Sequence, residues 1–247
     1  MSWASRRKTL YISIASIGTL VILGSLSYFI LSTQPSCTDG AKNGGEKGID
    51  CGGSCARICK EDTRQPVVLW SRSLKIAEGI YSAAAYIENG NGSAKAPAAR
   101  YVFKLFDDRN LLVAERYGEV TIAAQQLVPI VEPNIATGNR IPARTFFEFV
   151  GDLSFEKEPS PSRLRVINEV LNEEAGTYEV TVVNDARTEA LGVIVPAVLF
   201  DAQGNAQAVS RSTLARLKAG ESEHITFTWP SALPPITRAE VTPYATF

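Results

Sequence analysis

The sequence predicts a mainly β protein in which one amino-terminal transmembrane helix is followed by a small disulfide-rich loop module and two β-sandwich domains. Three observations predict this. A charge-free apolar run occupies Thr9 to Leu31, all four cysteines of the 247 residues fall between Cys37 and Cys59, and the remainder alternates apolar and polar residues with a period of two. The organisation that follows is an amino-terminal stretch 1–8, an anchor 9–33, a cysteine-rich stalk 34–66, a first sandwich 67–153, a linker 154–162 and a second sandwich 163–247.

The run Thr9 to Leu31 holds 23 residues. At ~1.5 Å per helical residue it reaches about 35 Å, enough to cross a hydrocarbon core with some tilt. Arg6, Arg7 and Lys8 precede it, so the bias of basic residues towards the cytoplasm places the amino terminus inside and everything after Thr33 outside. A cleaved signal peptide is the competing reading. Its apolar core is normally only about 7 to 15 residues and ends at a small-residue site, which Ser32-Thr33-Gln34-Pro35-Ser36 does not offer. The same residues do not form a lipoprotein cleavage box before Cys37.

Composition fits an ordered ectodomain, with 21% charged and 45% hydrophobic residues. Net charge is −1, and setting aside the three basic residues before the anchor leaves 22 basic against 26 acidic groups outside. Such a surface lacks the basic face that nucleic-acid binding needs.

Thirteen, three and three residues separate Cys37, Cys51, Cys55 and Cys59. Four cysteines allow three pairings that the sequence does not distinguish. A segment this short and glycine-rich buries little core, so outside the membrane two disulfides supply the constraint. A four-thiolate zinc site is the rival, but the C-x2-C spacing of zinc knuckles is absent. Threaded between the cysteines are Asp39, Asn43, Glu46 and Asp50. Calcium takes six to eight oxygens from loops of this kind, while Asp, Asn and Gly are equally the formers of tight turns. Both readings stand, and no other cofactor is indicated.

At these residues the stretch resembles a short motif of extracellular and bacterial surface proteins, C-x-D-G-x-x-N-G-x-E-x-x-x-D-C-G-G-x-C. It is matched at Cys37, Asp39, Gly40, Asn43, Gly44, Glu46, Asp50, Cys51, Gly52, Gly53 and Cys55. The resemblance implies surface exposure rather than one activity.

After the polar connector Lys60 to Pro66, strands are expected over Ala99–Asp107, Thr145–Val150, Thr177–Val183 and His224–Trp229. Asp107-Asp108-Arg109-Asn110, Asp201 to Asn205 and Lys218 to Ser222 supply turns between them. With no long amphipathic helical pattern, antiparallel sandwiches are the expected architecture. The region also repeats. Tyr81 and Tyr178 each open a strand ending at an asparagine, Asn89 or Asn184, and Leu-Phe-Asp follows 16 or 15 residues later at 105–107 and 199–201. Glu156 to Ser162, charged and broken by proline, has the composition of a linker between the copies.

The second copy, through Asn184, Leu199-Phe200-Asp201, Gly204-Asn205, Leu217, Gly220-Glu221-Ser222 and Phe227, resembles the FxLYD-type domains of bacterial envelope proteins. That resemblance implies an immunoglobulin-like β-sandwich and a surface or adaptor role, with no catalytic residues. The first copy keeps Leu105-Phe106-Asp107 but replaces the glycine turn with Val128 to Asn139, which reads as a specialised loop.

His224 is the one histidine, so a multi-histidine metal site or a histidine triad with a paired thiol nucleophile is not expected within the chain. The carboxylate pairs Asp107-Asp108 and Glu173-Glu174 sit in turn-like contexts, and no phosphate-binding glycine loop follows a strand. Asn91-Gly92-Ser93 matches a glycosylation sequon. The functional expectation is a membrane-anchored, extracytoplasmic binding or scaffolding protein of the cell envelope with a protein partner and no enzymatic activity. A structural subunit of an envelope secretion or pilus assembly, and a membrane-tethered enzyme, are the alternatives. The sequence names no small-molecule ligand.

Overall fold

Thirty residues from Trp3 to Ser32 form a single helix, α1, in the computed structural model, which describes residues 3–32, 35–124, 126–158 and 163–246. Arg6–Phe29 is long and apolar enough to cross a membrane. The described side chains of α1 are exposed on every side, the surface that a lipid-facing helix presents. Two of its hydroxyls turn back to the backbone: Thr19 Oγ1 donates to Ala15 O and Ser25 Oγ to Ile22 O, both at 2.9 Å. That satisfies polar groups for which hydrocarbon offers no partner.

The chain divides into two units, Met1–Cys55 and Ala56–Phe247. Among the described residues the second contains fourteen strands: β1 Val67–Ala77, β2 Ile80–Glu88, β3 Ala94–Phe106, β4 Leu112–Ile122, β5 Leu127–Ala136, β6 Arg144–Phe149, β7 Glu156–Lys157, β8 Leu164–Asn172, β9 Thr177–Asn184, β10 Ala190–Phe200, β11 Ala206–Leu217, β12 Ser222–Thr228, β13 Arg238–Val241 and β14 Tyr244–Ala245. All pairings are antiparallel, in the sheets β1-β2-β5, β4-β3-β6, β8-β9-β12 and β11-β10-β13. The second pair of sheets repeats the strand order of the first.

The repeated residues owe their places to backbone chemistry. Asn89 Nδ2 donates to Ala94 O and Ala123 O, and its Oδ1 accepts from Asn91 N–H. Asn184 does the same with Thr188 O, Leu217 O and Ala186 N–H. In the Leu-Phe-Asp turns, Asp107 Oδ1 accepts from the N–H groups of residues 109 and 111, and Asp201 Oδ1 from those of 203 and 205. These Asx-type turns set how β3 passes to β4 and β10 to β11.

Each pair of sheets encloses its own core. Ala83, Ala85 and Ile87 of β2 face Tyr101, Phe103 and Leu105 of β3 in the first. Tyr178, Val180 and Val182 of β9 face Val193, Val195 and Leu199 of β10 in the second. A third buried cluster joins the two: Ala84, Tyr86 and Val131 from the first sandwich meet Val198, Phe200 and Val209 from the second, with Trp70 and Leu74 against them. The sheets therefore stack in four layers, with β1-β2-β5 and β11-β10-β13 as the inner two. This explains why β2 is buried on both faces and carries Ala83-Ala84-Ala85, small enough to let a sheet approach from either side.

Two segments differ from expectation. Val128 to Asn139 is largely strand β5 rather than a loop. Proline is tolerated there because β5 is an edge strand bonded only to β2, and Pro133 and Asn134 fall where the register between Tyr81 and Ala83 shifts. Asn134 takes φ +57° to make that bulge. The expected linker begins with a strand, because Glu156–Lys157 pairs with Ala94 and Lys95 of β3. Residues 159–162 lie outside the described residues.

Candidate functional site

In the cysteine module Cys37 is bonded to Cys55, with Cα atoms 5.6 Å apart. Cys51 and Cys59 are disulfide-bonded as well, leaving no free thiol. Oxidation removes the thiolates that zinc would need. The fold admits this closeness only with glycine at position 53: a Cβ there would lie 1.9 Å from Gly45 O, and φ is +57°.

The four oxygen-bearing residues named for calcium share one loop, where the carboxylates of Asp39, Glu46 and Asp50 accept from backbone N–H groups and the Asn43 amide donates to Asp39. Both oxygens of Asp50 accept from Gly40 N–H, at 3.0 and 3.1 Å. Glu46, buried, accepts from Asn43 N–H at 3.4 Å and Asp50 N–H at 3.2 Å through Oε2. Asp39 accepts from Asn43 Nδ2 at 2.8 Å, from Ala41 N–H at 2.9 Å and from Ser36 N–H at 3.2 Å. These bonds, led by the Asn43 amide, hold the Asp39 carboxyl below the ordinary carboxylate range. Asn43 Oδ1 is buried without a donor. Among the described residues the metal-type donors that converge are Cys37, Glu46 and Cys55, and both sulfurs belong to the disulfide.

The remaining sequence candidates stand apart from one another. His224 is on the outer face of β8-β9-β12, exposed, with Nε2 3.6 Å from Glu179 Oε2. Asp107 is held low first by Arg140, whose Nη2 lies 2.7 Å from Oδ2. Glu173 Oε1 accepts from Ile236 N–H at 2.8 Å, pinning the segment before β13. Asn91 is only 8% exposed, and its amide donates to Arg64 O and Asn89 Oδ1. The sequon therefore has no free nitrogen for a glycan in the folded chain.

Sequence reasoning missed the polar centre where the two sandwiches meet. Glu132 of β5 is 4% exposed. Its Oε1 accepts from Tyr101 OH at 2.6 Å and from Arg211 Nη1 at 3.0 Å, and its Oε2 from Arg116 Nε at 3.2 Å. Arg211 comes from β11 of the second sandwich, so the carboxylate ties the two together. Burial, then the neighbouring Glu132, pushes the Tyr101 phenol well above its usual value. Gly118 leaves the room that ring needs, since a Cβ there would lie 2.4 Å from Tyr101 OH.

An aromatic group completes the seam. Trp70 stacks on Tyr86 at 4.8 Å, Phe200 meets both edge-on, and the Arg238 guanidinium lies 4.2 Å from the centre of the Phe200 ring. Tyr86 OH donates to Glu240 at 2.5 Å. Beyond this seam, a cleft of about 610 Å³ is lined by Lys95, Thr121, Glu158, Arg187, Glu189 and Tyr244 among others. It mixes charges of both signs, and Glu158 is already committed to Ala124 N–H at 2.6 Å.

No family model and no curated protein matches the chain. Among solved structures, the crystal structure of red sea bream transglutaminase aligns with 74% of this chain and 31% of its own, at 11% identity and a TM-score of 0.26.

Proposed function

We propose that this is a membrane-anchored, extracytoplasmic binding or scaffolding protein of the cell envelope that acts by recognition rather than turnover. In this reading α1 is an uncleaved anchor with its amino terminus in the cytoplasm, as Arg6, Arg7 and Lys8 argue. Disulfides at all four cysteines suit an oxidising compartment. The two modules are immunoglobulin-like sandwiches of the FxLYD type, a reading supported by their shared strand order and by the matched roles of Asn89 and Asn184.

The observation that carries the proposal is the buried seam at Trp70, Tyr86, Val131, Val198 and Phe200. It packs the two sandwiches into one compact unit through shared buried side chains, which supports their use as a recognition scaffold. Proximity labelling tests it. A labelling enzyme fused at the carboxyl terminus, expressed in intact cells, should enrich a small set of envelope proteins over a control in which α1 carries an unrelated domain. Identical profiles for the two would overturn the proposal.

A further inference from the structure

The strand repeat places residues of the two sandwiches in one-to-one correspondence, so a covered face of one can be set beside its counterpart in the other. In the second sandwich the outer face of β11-β10-β13 is covered, because Val198, Phe200 and Val209 pack on the first sandwich. Its register pairs Phe200 with Arg238, Val198 with Val209 and Glu240, and Pro196 with Arg211. In the first sandwich the same positions pair Phe106 with Arg144, Lys104 with Glu115 and Phe146, and Val102 with Tyr117. The Phe-Arg register pair at the rim of the seam, where Arg238 lies over the Phe200 ring, thus recurs as Phe106 and Arg144, whose guanidinium donates to Asn110 Oδ1.

This equivalent face is uncovered. Phe146 is 50% and Tyr117 62% exposed, and Phe106 meets Phe146 edge-on at 5.6 Å. Ile141, 71% exposed, and Leu111 extend the apolar surface. Arg140 holds their two loops together through Asp107, Leu111 O and Leu112 O. The patch is at the far end of the 13-residue strand β3 from Ala94, about 40 Å away at ~3.3 Å per residue. The chain enters this unit beside Ala94, where Lys157 N–H donates to Ala56 O.

The opposite outer face, on β8-β9-β12, has another character. On β9 and β12 it presents Thr177, Glu179, Thr181, His224, Thr226 and Thr228, and β8 adds Ile167 and Val170, the latter 59% exposed, so among the described residues this face is mainly polar with an aliphatic edge and no aromatic ring. The exposed aromatic face is therefore confined to one end of the four-layer stack.

We propose that the outer face of β4-β3-β6 docks a β-sandwich module of another protein chain, through a sheet face that presents aromatic rings to Phe106, Phe146 and Arg144. The occupant is inferred from the seam, where such a face is covered by the Trp70 and Tyr86 rings of β1-β2-β5. A second copy cannot supply that face, because its own second sandwich already covers it. Lys104 and Glu115 stand where the seam has Val198 and Val209, so this contact is more polar and reversible where the seam is permanent. The proposal rests on the binding reading above and names its partner class.

The test is photo-cross-linking of the full-length protein in intact cells. p-Benzoylphenylalanine is placed in turn at Phe146, at Thr226 on the polar face, and at Arg187 in the cleft. The expected result is an adduct from position 146 and none from 226. Its cross-linked peptide should map to a strand of a β-sandwich domain in a different chain, and Arg144→Glu should lower its yield by about tenfold. The melting temperature should be unchanged, because Arg144 is exposed. An adduct at 146 with lipid, with a second copy, or with a helical segment would overturn the proposal. A protein adduct at 187 with none at 146 would overturn the docking face and leave the binding reading standing. No protein adduct at any position would overturn both.

Discussion

Removing Arg211 should weaken both sandwiches at once, because its guanidinium is the bond that Glu132 receives from the other module. The lost contact is a 3.0 Å charge-assisted hydrogen bond to a carboxylate whose side chain is 5% exposed. Such bonds contribute ~1.5–3 kcal/mol. The full ~3–5 kcal/mol of an orphaned buried charge does not apply, since Tyr101 and Arg116 remain on the same carboxylate. Arg211→Ala should therefore cost roughly 2 kcal/mol, lowering the melting temperature by about 4–8 °C for a domain of this size. Arg116→Ala should cost less, because that side chain is 52% exposed and its bond is 3.2 Å. Removing both should cost more than the sum, as Glu132 is then left with Tyr101 alone.

Tryptophan fluorescence resolves the effect. Trp70 reports on the seam and Trp229 on the second core, where its Nε1 donates to Val209 O at 3.2 Å. With Trp3→Phe in the background, urea unfolding is followed in variants carrying only Trp70 or only Trp229. Arg211→Ala should move both midpoints together. A Trp70 transition that shifts while the Trp229 transition stays fixed, or an Arg116→Ala cost exceeding that of Arg211→Ala, would show that Arg211 does not couple the two sandwiches.

Further outcomes follow from the same geometry. Gly118→Ala brings a methyl 2.4 Å from Tyr101 OH and should destabilise by about 1–3 kcal/mol in thermal melts, partly relieved by Tyr101→Phe. Tyr101 and Tyr86 have phenols raised by burial. Their contribution is therefore complete below the unfolded tyrosine value of ~10 and lost as pH rises above it. Stability measured by denaturant titration should fall above about pH 10, less steeply in Tyr101→Phe. Alkylation without reductant should label no cysteine, and peptide mapping should find Cys37 joined to Cys55. Chelation by EGTA separates the readings of Asp39, Asn43, Glu46 and Asp50: faster proteolysis of this loop marks bound calcium, and unchanged proteolysis leaves them as turn formers.

What could be read from the sequence was whatever local chemistry dictates. The Asx turns at Asp107 and Asp201 are legible because acceptor and donors lie within four residues. The apolar run of α1 and the clustering of cysteines are legible for the same reason. The seam was not. Period two assigns one face of a strand to a core, whereas β2 and β10 bury both, and Ala83-Ala84-Ala85 reads equally well as a single buried face. Val128 to Asn139 reads as a loop because it lacks the glycine turn of the second copy, although it forms an edge strand that accommodates Pro129 and Pro133. Glu132 and Arg211 are 79 residues apart, and nothing local in the sequence joins them. Phe106 and Phe200 look identical in the repeat, yet only the assembled stack shows Phe200 buried between sheets and Phe106 half-buried.

The proposed topology, a sandwich pair held outside the membrane on an uncleaved anchor, is open to test by protease accessibility. The full-length protein carries an amino-terminal tag, and protease is added to intact cells, or to spheroplasts if an outer layer blocks access. Digestion of the region after Thr33, with a tagged fragment of α1 surviving, is the predicted result. A body that resists until detergent dissolves the membrane, or a mature protein that has lost its tag together with α1, would contradict it.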